Sequence, residues 1–409
     1  NEQQTNFSLK NNRIWANEII KNVKTNTESL IIPLQINGQI FEKNQDGIFH
    51  QIASKEKTLY HYSIADENDI NKAILCANSY LSIWKNVSVE EKMTFFSNIT
   101  SLYKQKRKEL IATLIKEQGK ILIDADVEIC QAIDSIEYYK FRYSNTVTTK
   151  DVSFSPIGTC IIVSSKGNSL STPTGNIISA LLCGNSVIFK PSKDSVLTGW
   201  QIVNTFWEAG IPKEVLQFII CDNEVVEISL INTNSNSKLI FSGRGLTAKK
   251  FIKKNPLINI SANLEGKNTM IITDCCDRDL AIESLVKSAF SNSGQNDFTI
   301  TVAILESEVY EDKIFLQKLI DAVSPYKLGF PWDLSTNLVP LRHEIKENLK
   351  IALTTLEPGE SWLLTPKQNE NNPFLYSPGI KIGATENSLT FKRVFAGPVL
   401  SLVRASNLK

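Results

Sequence analysis

At 409 residues and 45.8 kDa, the chain is long enough to bury two or three sizeable cores without disulfide or metal staples. Its 44 Lys and Arg residues nearly cancel 43 Asp and Glu residues, which argues against a nucleic-acid or membrane-surface footprint and leaves small molecules or proteins as expected partners. Seven scattered cysteines (Cys76, Cys130, Cys160, Cys183, Cys221, Cys275 and Cys276) show no zinc spacing, so buried thiols in a reducing compartment, cytoplasm or mitochondrial matrix, are expected.

Residues 1–63 are polar and Asn-rich, with a helical patch at 13–23. An apolar stretch at 30–40, broken by Pro33 and Gly38, makes this region an arm plus a hairpin. From 65 to 143 apolar residues recur at intervals of three and four, which predicts three amphipathic helices. Their starts are marked by Asp66 with Asp69, by Ser88 with Glu91, and by Asp124. The charge run at 104–109 reads as a solvated helix face. A small β-flap is expected near 141–152.

Beyond Ser155-Pro156 strands and helices alternate. Strands are predicted at 159–164, 186–190, 216–221, 239–241, 258–263 and 269–273. Between the first four lie helices from Pro173 to Gly184, one ending at Gly210-Ile211-Pro212, and one at 224–232. This alternation predicts a mostly parallel α/β sheet with helices on both faces. A helix at 279–292 then leads through a Gly turn, 290–298, into a strand at 299–306. Further helices are expected at 310–323 and 343–356, with a Pro- and Asn-rich stretch at 366–373. Cys275 and Cys276 follow a predicted buried strand and read as packing residues rather than a redox pair.

Several segments together resemble the aldehyde dehydrogenase superfamily. Ser155-Pro156-Ile157-Gly158, the passage from Pro173-Thr174-Gly175 through Gly184-Asn185 to Phe189-Lys190-Pro191-Ser192, Glu208-Ala209-Gly210-Ile211-Pro212 and Gly397-Pro398-Val399-Leu400 stand in that family's order. Glu117-Gln118-Gly119-Lys120, the run 125–134 and Tyr138-Tyr139 are similar to the 1-pyrroline-5-carboxylate (glutamate γ-semialdehyde) dehydrogenases, as in the dehydrogenase half of bifunctional proline-utilisation proteins. The resemblance implies a Rossmann-type cofactor domain at 1–265 and a second α/β catalytic-type domain at 266–409. It also implies C-terminal shortening relative to the family, whose chains continue past Gly-Pro-Val.

The family's chemistry is implied to need a Cys nucleophile, a Glu base and an Asn oxyanion donor. By resemblance the nucleophile position in Gly294-Gln295-Asn296-Asp297 is held by Asp297, a poor nucleophile toward an aldehyde, and the base position by Asn263, which takes no proton at neutral pH. The oxyanion region falls on Gly167, with Asn168 adjoining, and Glu265 lies two residues past Asn263. Cofactor-binding features implied by the family are Lys190 and Ser192, with Lys193 at an acidic position, and Gly243 with Arg244 in Phe241-Ser242-Gly243-Arg244. Arg244 is read either as a phosphate ligand or as filling the nucleotide cleft. Val394, or Arg393, replaces a ribose-binding carboxylate.

These substitutions lead to the expectation of a catalytically inactive member of the glutamate-semialdehyde dehydrogenase group, binding NAD weakly or not at all. It is expected to act as an oligomeric structural or binding module whose partner is itself or a proline dehydrogenase-like protein. The rival readings are an active NAD-dependent dehydrogenase using Glu265 and Asn168, and a non-catalytic nucleotide sensor using Lys190 and Arg244.

Overall fold

The computed structural model describes residues 1–25, 30–43, 47–52, 54–147, 153–221 and 237–407. Two compact units emerge, Asn1–Gln118 with Ala125–Leu264, and Gly119–Asp124 with Glu265–Lys409.

The first unit is built on a seven-stranded sheet. Its order is Ile260–Leu264, Ser237–Gly243, Thr159–Val163, Ser186–Lys190, Leu216–Phe218, Leu34–Ile36, Gln39–Phe41. The first five strands are parallel and the last two antiparallel. Thr159–Val163 and Ser186–Lys190 are buried along their whole length, which is why they read as unbroken apolar runs. The edge hairpin turns at Asn37-Gly38, both with positive φ (52° and 76°), the conformation its Asn-Gly sequence favours. The strand order reverses between Thr159–Val163 and Ser237–Gly243, and in such sheets ligands bind at the strand C-termini beside that reversal.

Two motif carboxylates hold this sheet's helices. Glu128 accepts hydrogen bonds from Leu170 N (2.8 Å) and Ser171 N (3.3 Å) at the start of the Ser171–Leu182 helix. Glu117 accepts from Leu197 N (2.7 Å) and Thr198 N (3.0 Å) at the start of Val196–Glu208, and from the Tyr60 and Thr198 hydroxyls. Each carboxylate satisfies otherwise orphaned N–H groups and meets the positive end of the helix dipole. The residues that carry the family resemblance here are therefore structural.

The second unit has a five-stranded sheet, Asn268–Ile272, Ile300–Glu306, Val399–Ala405, Gly379–Ala384, Ser361–Leu364, parallel except for its last strand. Arg278–Phe290 and Lys313–Val323 cover it through a core that includes Leu285, Phe290, Leu305, Phe315, Leu319 and Leu402.

Several expectations need correction. The 65–143 region holds four helices, Glu67–Trp84, Val89–Gln105, Arg107–Gln118 and Leu122–Val147. The break falls inside the charge run, which is not simply a solvated face: Arg107 is mostly buried and its Nε lies 2.7 Å from the buried Asp126 carboxylate. Apolar periodicity, which runs on through this segment, does not record the break. Residues 141–147 continue a helix, so the β-flap does not begin there, and 148–152 lie outside the described residues, as does the helix expected at 224–232. The 310–323 helix is two pieces, Ser307–Tyr310 and Lys313–Val323, because Asp312 caps the second through Ile314 N and Phe315 N. The 1–63 region adds a three-stranded sheet to the expected hairpin. The seven cysteines are free, but Cys183 and Cys275 are exposed, so packing accounts for Cys276 and not for Cys275.

Candidate functional site

The candidate residues fall into two sets, one in each unit. In the first unit, parallel register brings together the C-terminal ends of four adjacent strands. Asn263 stands opposite Ser242 and Leu264 opposite Gly243, while Val163 stands opposite both Phe241 and Lys190. The Ser164 Oγ accepts from Ser192 N (3.3 Å), and the Ser164 N–H donates to the Lys190 carbonyl (3.2 Å). Gly167 and Asn168 follow in the buried loop that leads to the Ser171–Leu182 helix.

Lys190 is buried, and desolvation pulls its amine below the usual lysine range. The neighbouring Cys221 opposes that shift and Lys193 adds to it. Ser242 is also buried, and its Oγ has no hydrogen-bond partner among the described residues. Arg244 is the N-cap of the Gly245–Lys254 helix and its side chain is exposed. Asn263 is exposed on the sheet-edge strand Ile260–Leu264. The helix N-terminus, a guanidinium and an unpaired hydroxyl suit an anion. Lys193 and Lys190 supply no carboxylate to accept ribose hydroxyls.

In the second unit the Gly turn is held on every side. The Arg278–Phe290 helix ends in a short 3-10 turn, Ser291–Gly294, in which Asn292, Ser293 and Gly294 all have positive φ (50°, 56° and 70°). Asp124 accepts from Ser291 Oγ (2.8 Å) and Asn292 N (2.9 Å). Burial raises its carboxyl pKa, against the hydrogen bond from Ser291 and the charge of Lys120. Ser293 Oγ donates to Val339 O and accepts from Val339 N, both at 2.8 Å. Gln295 Oε1 accepts from Arg342 N (2.9 Å), and Asn268 Nδ2 donates to the Asp297 carbonyl (2.9 Å). A Cβ at Gly294 would lie 2.2 Å from the Gly397 carbonyl oxygen, so two motif glycines meet here and Gly294 has no room for a side chain.

At the tip Asp297 is exposed, as is Phe298. Residues 289–300 contain no cysteine. Glu265, the first residue of this unit after the chain crosses over, is also exposed.

Three residues at this turn escaped the sequence reading. Asp124 looked like a helix-start marker, yet its carboxylate secures residues far along the chain. Asn268 gave no signal at all. Lys267, whose motif was noted for its base, is half-buried: Nζ donates to Thr301 Oγ1 (2.5 Å) and to the Arg393 carbonyl (3.1 Å), and lies 4.6 Å from the centre of the Phe395 ring. Burial pulls its amine down to about 8.

Among the described residues no helix is long and apolar enough to cross a membrane. Comparison with known proteins gives a consistent result. A model of the aldehyde dehydrogenase family matches residues 42–409. A 1-pyrroline-5-carboxylate dehydrogenase 2 of Halalkalibacterium halodurans is 24% identical, covering 99% of this chain and 82% of the relative. The 1-pyrroline-5-carboxylate dehydrogenase of Bacillus subtilis is 25% identical over 91% of this chain and 76% of its own. Among solved structures, Thermus 1-pyrroline-5-carboxylate dehydrogenase with bound NAD superposes with a TM-score of 0.89 at 22% identity, over 100% of this chain and 82% of that one. Proline utilization A from Bdellovibrio bacteriovorus gives 0.88 at 22% identity, over 100% of this chain and 44% of that one. The chain belongs to the aldehyde dehydrogenase family.

Proposed function

We propose that this member of the aldehyde dehydrogenase family has the ligand-binding frame of a 1-pyrroline-5-carboxylate dehydrogenase but not its covalent step, and serves as a binding module. The observation that carries the reading is the tip of the turn: a well-anchored loop that presents Asp297 and holds no thiol. A thiolate adds to an aldehyde and gives an adduct that can lose hydride to an acceptor, leaving a thioester. A carboxylate adds weakly, and its adduct reverts. Asn263, at the position the resemblance assigns to the base, cannot activate water for the hydrolysis that would follow.

A nicotinamide dinucleotide, when bound, supplies the hydride acceptor. The first unit fits the anionic part of that group: Arg244, the Gly245–Lys254 helix N-terminus and the orphaned Ser242 hydroxyl would hold a pyrophosphate. Lys190 would stay near the ribose, with Ser192 beside it, but without the carboxylate that would fix the sugar. Weak binding follows.

The test is an assay of nicotinamide reduction dependent on glutamate semialdehyde. No turnover, with a measurable rise in melting temperature on adding NAD, is the expected result. Turnover that is lost in Asp297→Ala overturns the proposal.

A second reading, an active dehydrogenase with Glu265 as base and Asn168 as oxyanion donor, is favoured by the names of the relatives, which are dehydrogenases. Turnover that survives Asp297→Ala but is abolished by Glu265→Gln would establish it. A protein partner is also proposed, either a second copy or a proline dehydrogenase-like module. Its support is that this chain covers only 44% of a proline utilization A chain it resembles in fold. The seven free cysteines favour a reducing compartment, and the bacterial relatives favour cytoplasm.

A further inference from the structure

Lys267 sits where the strand Asn268–Ile272 begins, next to the residue that anchors the Asp297 carbonyl. Its stem is half-buried, its Nζ is within hydrogen-bond reach of one hydroxyl, Thr301 Oγ1, and the Phe395 ring closes one side. Neither Thr301 nor Phe395 is charged, and among the described residues no carboxylate is paired with this amine, in contrast to the buried Lys381, whose Nζ lies 3.2 Å from Glu360. A lysine set among a hydroxyl, a carbonyl and an aromatic face is desolvated without a compensating anion, the setting in which lysines become nucleophiles.

We propose that Lys267 forms a reversible imine with an aldehyde, so that the second unit captures the carbonyl through nitrogen where its turn lacks sulfur. The neutral amine adds to the carbonyl carbon, forming the C–N bond and a carbinolamine. The hydroxyl then leaves as water, taking the proton released from nitrogen, with the Thr301 hydroxyl placed to pass it. The product is an imine plus one water, with no change in oxidation state and no cofactor. The choice of an aldehyde as ligand rests on the function proposed above, but the step itself needs neither a dinucleotide nor Asp297.

The experiment is reductive trapping. The full chain is incubated at pH 8 with 4-oxobutanoate, an aldehyde acid that has no amine with which to close on itself. It is then reduced with cyanoborohydride and mapped by peptide mass spectrometry. At that pH an ordinary lysine is well under a hundredth neutral and Lys267 about half. Its lower basicity trims the advantage, and labelling about tenfold faster than at the exposed Lys249 and Lys250 is expected. Lys267→Arg, which keeps a cation over Phe395, removes the label from that peptide, and Thr301→Val slows it several-fold. Labelling of Lys267 no faster than that of Lys249 and Lys250, or unchanged by Thr301→Val, overturns the proposal. The same trapping in Asp297→Ala and without NAD separates the two ideas. A label that persists there supports the imine whatever the dinucleotide titration shows, and a rise in melting temperature with NAD but no preferential label on Lys267 sinks the imine and leaves the binding-module reading standing.

Discussion

The turn in the second unit and the strand ends in the first unit differ in what fixes their residues. The turn at 291–297 is tied by Asp124, Ser293, Gln295 and Asn268 and wedged against Gly397, so each of those positions answers to packing or to a specific hydrogen bond. At the strand ends, Arg244 and Asn263 are exposed and Ser242 points an unpaired hydroxyl at no described partner. A substitution in the first set breaks the fold locally. One at the exposed Arg244 or Asn263 costs the fold little and changes mainly the chemistry on offer. Scaffold and reactivity are therefore separable in this molecule.

The sharpest way to break that comparison is to restore chemistry without touching scaffold. Asp297→Cys with Asn263→Glu should give semialdehyde-dependent nicotinamide reduction where the parent gives none, because these are the positions to which the family resemblance assigns nucleophile and base. No gain in a folded double variant would mean that the frame itself has been lost. The converse change, Gly294→Ala, should leave chemistry irrelevant and destabilise by about 3 kcal/mol, since a Cβ meets the Gly397 carbonyl and φ is 70°. A denaturant midpoint equal to the parent's would show that the turn is softer than its contacts imply.

Asp124→Ala leaves a buried N–H and hydroxyl unpaired and should cost about 1–3 kcal/mol. Asp124→Asn keeps both contacts, and sharpens the point through pH. Burial raises the folded carboxyl pKa above its unfolded value, so the folded state holds the proton more tightly and stability falls as pH climbs from the unfolded value, near 4, through the raised one. The Asn variant should lack that component, and its melting temperature should decline less between pH 4 and neutrality. Identical pH profiles would show that Asp124 titrates normally. The smallest effect is expected at an exposed position: Arg244→Ala should weaken NAD binding about fivefold, read by titration, and leave the melting temperature of the free protein unchanged.

Much of this fold was legible in the residues. The unbroken apolar runs at 159–163 and 186–190, the Asn37-Gly38 turn and the helix starts at Asp66 and Ser88 each follow from local rules, and the structure has them where those rules put them. The break at Lys106 and the double helix around Asp312 did not come from periodicity, and at Asp312 a side-chain cap starts the second helix.

By itself the sequence determined the α/β alternation, the family and the identity of the residue at the tip of the turn, since pattern and motif survive without coordinates. Only the tertiary structure decided that Glu117 and Glu128 are helix caps, that Asp124, in the first turn of its helix, also braces residues 291–292, and that Lys267 is desolvated beside Thr301 and Phe395. The physical reason is the same in each case. What a carboxylate or an amine does depends on which distant donors, acceptors and rings surround it, and that neighbourhood is assembled by chain crossings that no local pattern records.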